Sequence, residues 1–168
     1  NPPNVCVLRT TCTFCGYARL PKEDGAYRYT LEQVLSEAAH AADGLTREFH
    51  IVGGLDMKAG LEYYRAMFRA LKSNFPHVHI KALTAVEIAH IARIEKMPWK
   101  DVLVALRDAG LDTLPGGGAE TFSAAVRERI AGKKLAGADY IGVHRTAHEL
   151  GIRSNCTMLY GHVETLED

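Results

Sequence analysis

The sequence predicts an α/β fold: a partial (β/α) TIM-type barrel whose strands run parallel. Three observations carry the prediction. Short apolar segments alternate with amphipathic helical patterns along the chain, the signature of βαβ units. Three helical patterns stop at Gly followed by an apolar residue, at Gly44-Leu45, Gly110-Leu111 and Gly151-Ile152, as helices feeding the next strand do. A cysteine loop follows the first strand, where a doubly wound nucleotide-binding sheet would place a Gly-rich turn, so that open sheet ranks second. A whole barrel takes about 250 residues. With 168 residues, an Asn1-Pro2-Pro3 opening and a Glu167-Asp168 end, the chain is expected to be one domain over 1–168, a fragment whose C-terminal strands are absent.

Element by element, a first strand is expected to end near Val5. Thr30 with Gln33 reads as a capping box, and Leu31, Val34, Leu35 and Ala38 recur at helical spacing up to Gly44. Residues 48–52 read as a strand stopping at Gly53-Gly54. Leu61, Tyr64, Phe68 and Leu71 form the stripe of a second helix that Pro76 closes, and 78–83 is the next strand. A broken helical stretch follows, with Trp99, Val102, Leu103 and Leu106 on one face and Gly110 as its cap. Residues 111–114 form a brief strand running into Pro115-Gly116-Gly117-Gly118. Helical signal returns over 121–130 and from Ala138, where Tyr140, Val143, Ala147 and Leu150 share a face. Gly151 caps that helix, and 152–159 is the fifth strand.

Composition removes several function classes. Lys plus Arg equals Asp plus Glu at 20 each, so there is no basic surplus of the kind nucleic-acid binding needs. Apolar residues make up 47%, too many for a disordered chain. No apolar run nears the roughly 20 residues of a membrane helix. Neither nucleic acid nor membrane is an expected partner. Cys6, Cys12 and Cys15 are clustered while Cys156 stands apart, a usage that suits metal binding or catalysis in the cytoplasm better than a disulfide framework.

In parallel α/β folds the chemistry gathers at the carboxyl ends of strands. Those ends hold Cys6, Cys12 and Cys15; Gly53, Gly54 and Asp56; Thr84 and Glu87; Gly116, Gly117, Gly118 and Glu120; and Tyr160, Gly161, His162 and Glu164. Three thiolates on one loop suit a metal centre. Structural zinc usually takes four ligands in two pairs, and no second pair is spaced to complete it. Three cysteines on a four-iron cluster with one iron left open is the other reading. Spacing alone leaves both standing.

Thr13-Phe14 makes the Cys12–Cys15 segment resemble the Cys-x-aromatic-Cys ending of radical S-adenosylmethionine (SAM) enzymes, and Gly53-Gly54 resembles their Gly-Gly-Glu segment. Longer strings narrow this. His50 to Gly54, Lys81 to Ile88, Leu114 to Glu120, His144 to His148 and Ser154 to Thr165 together resemble the aminodeoxyfutalosine synthase family of the futalosine route to menaquinone. The sister cyclic dehypoxanthine futalosine synthases and the deazaflavin-cofactor synthases are rivals within the same class. A zinc-binding scaffold piece is the non-enzyme alternative. One departure stands out: the superfamily spaces its first two cysteines by three residues, whereas five, Val7 to Thr11, separate Cys6 from Cys12.

The resemblance implies a [4Fe-4S] cluster on Cys6, Cys12 and Cys15, with SAM consumed as co-substrate. It implies addition of a 5′-deoxyadenosyl radical to 3-[(1-carboxyvinyl)oxy]benzoate, giving aminodeoxyfutalosine and CO2, and a low-potential electron donor such as flavodoxin or ferredoxin. It implies that Phe14 packs near the adenine, that Gly53 and Gly54 present backbone to SAM, and that Glu120 makes a polar SAM contact. Gly116 to Gly118 would let backbone approach a ligand, and Thr84, Glu87 and His162 would contact substrate or move a proton.

Plainer readings stand beside these. The three glycines at 116–118 suit an ordinary turn, and no Lys-Ser or Lys-Thr follows to make a phosphate loop. Glu87 is as suited to capping a helix as to catalysis. His144 and His148, one turn apart, read as packing or hydrogen-bonding residues, and Cys156 as a small buried strand residue.

Overall fold

The computed structural model describes residues 2–168. Ten elements follow in chain order: α1 (Leu31–Ala41), β1 (Glu48–Ile51), α2 (Leu61–Asn74), β2 (His79–Ala82), α3 (Ala85–Glu95), α4 (Trp99–Arg107), β3 (Thr113–Leu114), α5 (Ala124–Ala131), α6 (Gly137–Glu149) and β4 (Arg153–Ser154). The four strands lie side by side in sequence order, all parallel: Glu48 to Ile51 pair with His79 to Ala82, Lys81 with Thr113, and Thr113-Leu114 with Arg153-Ser154. Parallel neighbours in an order that never reverses, each pair joined through at least one helix, are how barrel wall is wound.

The helices begin and end for local reasons. Thr30 and Thr84 each form a capping box, with Gln33 and Glu87 respectively. Ser123 caps α5 through Val126 N–H. Gly110 and Gly151 take positive φ, at 115° and 77°. Gly44 does not serve as expected: α1 already ends at Ala42 in extended backbone. The left-handed cap of α3 is Lys96, at φ 54°, and the break before α4 follows from Pro98 at its N-cap.

One core lies between sheet and helices, with Phe68, Ile80, Ile88, Leu103, Leu106 and Leu114 fully enclosed. A second cluster brings Cys6, Leu8, Cys12, Ala18 and Leu55 against Val86, Val126, Ile130 and Ala131. The cysteine loop therefore owns a separate anchor on α3 and α5.

Three expectations are corrected. Val5 makes a single parallel bridge to Arg19 and adds no fifth strand. Its segment instead lies beside the Gly53–Leu55 turn, through Gly54 N–H to Pro3 O (2.7 Å) and Val7 N–H to Leu55 O (3.0 Å). The last strand is two residues long, because beyond Ser154 the chain turns toward the glycine segment, with Thr157 N–H donating to Gly116 O. Cys156 is exposed on that turn. His144 and His148 both hydrogen-bond Ser154 Oγ at 2.8 Å, pinning β4 to α6, as the hydrogen-bonding reading expected.

Candidate functional site

At the carboxyl ends of the strands lies a cavity of about 410 Å³. Its lining takes Cys6, Cys12 and Cys15 from the cysteine loop, Gly53 and Gly54 from the end of β1, Thr84 and Glu87 from the start of α3, and Gly116 to Gly118 with Glu120 from the segment after β3. Phe14 borders it and is 44% exposed. Twelve of the thirteen sequence-predicted residues thus meet in one place. His162 does not join them: it is exposed on the C-terminal segment and faces the Leu159 carbonyl and Glu164.

The two additional residues of the cysteine loop have a structural use. Leu8 is buried among the cysteines, and its carbonyl accepts from Thr11 N–H (2.9 Å) and Cys12 N–H (3.0 Å), so Val7 to Thr11 close as a turn around one apolar anchor. Thr13 N–H then donates to Ile130 O at 3.0 Å, tying the far side of the loop to α5. All three thiols are free. Burial raises the Cys12 pKa most; Lys134 lowers it, and Cys6 and Cys15 raise it by like-charge repulsion. Yet among the described residues no three His, Cys, Asp or Glu side chains already close on a single metal ion. Thiolates are the usual ligands of an iron–sulfur cluster, which takes one at each of three irons when the fourth is left open. Three soft sulfur donors spread round one cavity fit the cluster.

The glycines answer to protein packing. An added Cβ on Gly53 would stand 2.8 Å from Pro2 O, and on Gly54 it would overlap the Val5 carbonyl oxygen and reach Cys6 Cβ at 2.9 Å. On Gly116 it would meet the Asn155–Cys156 backbone at 2.5 to 2.7 Å. Gly118, at φ 114°, has Val86 in the way as well. These positions let neighbouring backbones close over the strand ends, which a turn alone would not require.

Two bulkier residues also take left-handed backbone there: Leu83 (φ 60°), just before Thr84, and Glu120 (φ 58°). Such conformations cost on the order of 1 kcal/mol or more each and gather at working sites. After Leu83 the chain turns so that Glu87 receives three hydrogen bonds, from Gly53 N–H (2.8 Å), Thr84 N–H (2.7 Å) and Thr84 Oγ1 (2.8 Å). Glu87 thus caps its helix, fastens β1 to α3 and borders the cavity at once. It is 3% exposed. Burial pushes its carboxyl up to about 7, against the pull of the Thr84 and Gly53 hydrogen bonds and Lys134.

That shift predicts a stability profile. The folded-state pKa lies above the ordinary 4.5, so Glu87 favours the fold fully below that value and loses its contribution as pH rises through about 7. Urea midpoints taken from pH 4.5 to 8 should show wild type falling relative to Glu87→Gln by on the order of 3 kcal/mol. A gap independent of pH would mean that Glu87 stays ionised when folded.

Strand-end reasoning missed Lys134. It lies on the α5–α6 connection, where its Nζ is 2.5 Å from the Glu120 carboxylate and 5.5 Å from the Phe14 ring centre. It is the one Lys or Arg among the lining residues described. Arg127 is the signal that could have found it: a buried arginine demands carbonyl partners, and it donates to Ala119 O, Thr121 O and Leu135 O, clamping the segments that bear Glu120 and Lys134 together. His50, Tyr17, Asn155 and Thr157 complete the polar lining.

Comparison with known proteins agrees with this geometry. The radical SAM superfamily matches residues 1–168. Aminodeoxyfutalosine synthase of Thermus thermophilus is 45% identical over 165 residues, 98% of this chain and 44% of the relative. The 5-amino-6-(D-ribitylamino)uracil–L-tyrosine 4-hydroxyphenyl transferase of Methanopyrus kandleri is 40% identical over 168 residues, 100% of this chain and 45% of that protein. The chain therefore spans less than half the length of these curated relatives. Among solved structures, methylornithine synthase superposes with a TM-score of 0.70 at 17% identity, covering 90% of this chain and 41% of its own, which shows the shared fold. Among the described residues no helix is long and apolar enough to cross a membrane.

Proposed function

The chain belongs to the radical SAM superfamily, and we propose that the full-length protein is an aminodeoxyfutalosine synthase, joining the 5′-deoxyadenosyl part of SAM to 3-[(1-carboxyvinyl)oxy]benzoate with loss of CO2. The observation that supports the superfamily chemistry is the meeting of three thiols, the Gly53-Gly54 turn and the Gly116–Gly118 segment around one cavity. The observation that favours this reaction is the 45% identity to the Thermus thermophilus aminodeoxyfutalosine synthase.

When bound, the cluster supplies a low-potential electron and SAM supplies the deoxyadenosyl group, the hard chemistry belonging to the cofactors. A flavodoxin or ferredoxin is the class of donor proposed for that electron. In this reading Cys6, Cys12 and Cys15 hold the cluster. The N–H groups of Gly53 and Gly54 are already given to Glu87 and Pro3, and Gly54 O already accepts from Asp56 N–H, so what the pair offers SAM is carbonyl oxygen, first that of Gly53, an acceptor suited to an ammonium group. Phe14 gives an aromatic face for the adenine, and Glu120 a polar contact. Thr84 and Glu87 stand at the substrate side. A carboxyl with a pKa near 7, as Glu87 has, can hold or release a proton at neutral pH. Leu8, Val52, Leu55 and Val86 make part of the cavity lining apolar.

The tyrosine 4-hydroxyphenyl transferase relative supports a second reading, in which the same cavity takes L-tyrosine and 5-amino-6-(D-ribitylamino)uracil. Full-length protein reconstituted anaerobically with iron and sulfide separates the two. Given SAM, reductant and 3-[(1-carboxyvinyl)oxy]benzoate, it should release aminodeoxyfutalosine, identified by mass. Product only with tyrosine and the aminouracil would replace the first reading with the second.

A further inference from the structure

We propose that a hollow on the outer side of the cysteine loop, bordered by Arg93 and Lys133, docks an acidic one-electron donor protein. This deepens the radical SAM reading of the cavity at the strand ends and rests on it. That reading requires an electron while SAM and substrate fill the cavity, so the donor delivers it from outside the loop.

The hollow measures about 520 Å³ and lies among the cysteine loop, the turn after β1, α3 and the α5–α6 connection. Leu8, Leu55 and Val86 line it, and the same three line the cavity at the strand ends. One layer of side chains therefore divides the two spaces. Leu8 also makes a direct link across it, its N–H donating to Cys6 Sγ at 3.4 Å. A partner seated in the hollow thus stands one residue away from a sulfur that holds the cluster in this reading.

Charge in the hollow has one sign. Among the lining residues described are Arg93, Lys133 and His90, and no Asp or Glu. Arg93 Nη2 reaches only His90 Nδ1 (3.2 Å) and the Met57 sulfur (3.7 Å). His90 is buried, and burial most of all lowers its pKa, so it is no anion and no second cation. Asp56, beside Leu55 and Met57, is committed to Arg28. Among the described residues neither Arg93 nor Lys133 forms an ion pair, and both are exposed.

Next to these cations Val7 and Met57 leave apolar side chains exposed. A small anion would use the cations but not the apolar pair, and would gain nothing from the thin wall behind them. An acidic protein uses all three. Unneutralised cations steer its approach, the apolar side chains are covered as it seats, and the wall of Leu8, Leu55 and Val86 keeps the electron's path short.

Titration calorimetry of an acidic flavodoxin into the reconstituted full-length protein tests this, at about 50 and about 300 mM salt. Arg93→Glu and Lys133→Glu should each raise the flavodoxin Kd about 10-fold, and the added salt should weaken wild-type binding by a similar factor. Arg145→Glu, an exposed charge on α6 outside the hollow, should bind as wild type does. Dithionite needs no docking surface, so it should reduce the cluster equally in all four proteins while flavodoxin reduces it slowly in the two hollow variants.

Unchanged flavodoxin affinity in Arg93→Glu and Lys133→Glu overturns the proposal, as does wild-type binding indifferent to salt. An equal loss in Arg145→Glu would mean attraction to the whole surface and no docking site. Wild-type dimers that Arg93→Glu separates would give the hollow to a second copy of this chain and overturn it too. Wild type without a cluster that dithionite can reduce would sink the radical SAM reading instead, a result that the flavodoxin affinities do not enter.

Discussion

Replacing Cys12 or Cys15 by alanine is expected to leave the full-length protein without iron and without adenosylated product. Both thiols line the cavity, Cys12 is buried in the apolar cluster that anchors the loop, and Cys15 packs against that cluster. Three thiolates give a cluster one ligand at each of three irons; with two, a corner is left to water. Iron should fall from about four per chain to near zero, and turnover should fall to the uncatalysed background. Cys6→Ala should behave alike, because Cys6 borders the same cavity despite the five-residue spacing. Cys156 supplies the control. It is exposed and outside the lining, so Cys156→Ala should retain both iron and activity. Full iron content in Cys12→Ala or Cys15→Ala would remove the loop from the cluster.

The second large effect is expected at Gly54. A Cβ there overlaps the Val5 carbonyl oxygen and stands 2.7 Å from Val5 C and 2.9 Å from Cys6 Cβ. The clashing atoms are backbone, and the neighbouring Asn4 carbonyl and Cys6 N–H are each hydrogen-bonded to Arg19, so no side-chain rotation relieves the overlap. Gly54→Val should cost about 3 kcal/mol, the upper end for overpacking. The strain falls on the segment carrying Cys6, so iron content should drop along with stability. Gly16→Val is the matched comparison: it follows Cys15 directly, and nothing lies within 4 Å of its added Cβ. Equal unfolding midpoints for the two variants would contradict this packing argument.

Much of this was readable in the sequence, for identifiable reasons. Capping boxes at Thr30 and Thr84 and terminal glycines at 110 and 151 are local devices, and local chemistry decides them. The helical stripes were readable because burial follows the 3.6-residue period: Tyr64, Phe68 and Leu71 are all enclosed. Strand ends were harder, since two short segments of similar composition differ only in whether a neighbour offers a ladder. Val5 bridges Arg19 outside the sheet, and past Asn155, whose N–H still meets Leu114 O of β3, Thr157 and Leu159 donate to Gly116 and Glu120 beyond the strand; no pattern within either segment signals that.

The site divides the same way. Its cysteines and glycines follow directly from strand ends, where the fold rule places them. Lys134 does not, because it reaches the cavity from a connection between two helices, folded over the strand ends by Arg127. His162 shows the converse. It belongs to a segment expected to end a strand, but β4 stops at Ser154 and the chain has left the sheet before reaching it.

Electron paramagnetic resonance of the reduced, reconstituted full-length protein, recorded with and without SAM, tests the central claim most directly. The claim is that the Cys6–Cys15 loop holds a four-iron cluster with one iron open to SAM. It predicts a reduced-cluster signal whose g values shift on adding SAM, with about four irons and four sulfides per chain, and no such signal in Cys15→Ala. A protein that binds zinc in place of iron, or a cluster signal that SAM leaves unchanged, would contradict it.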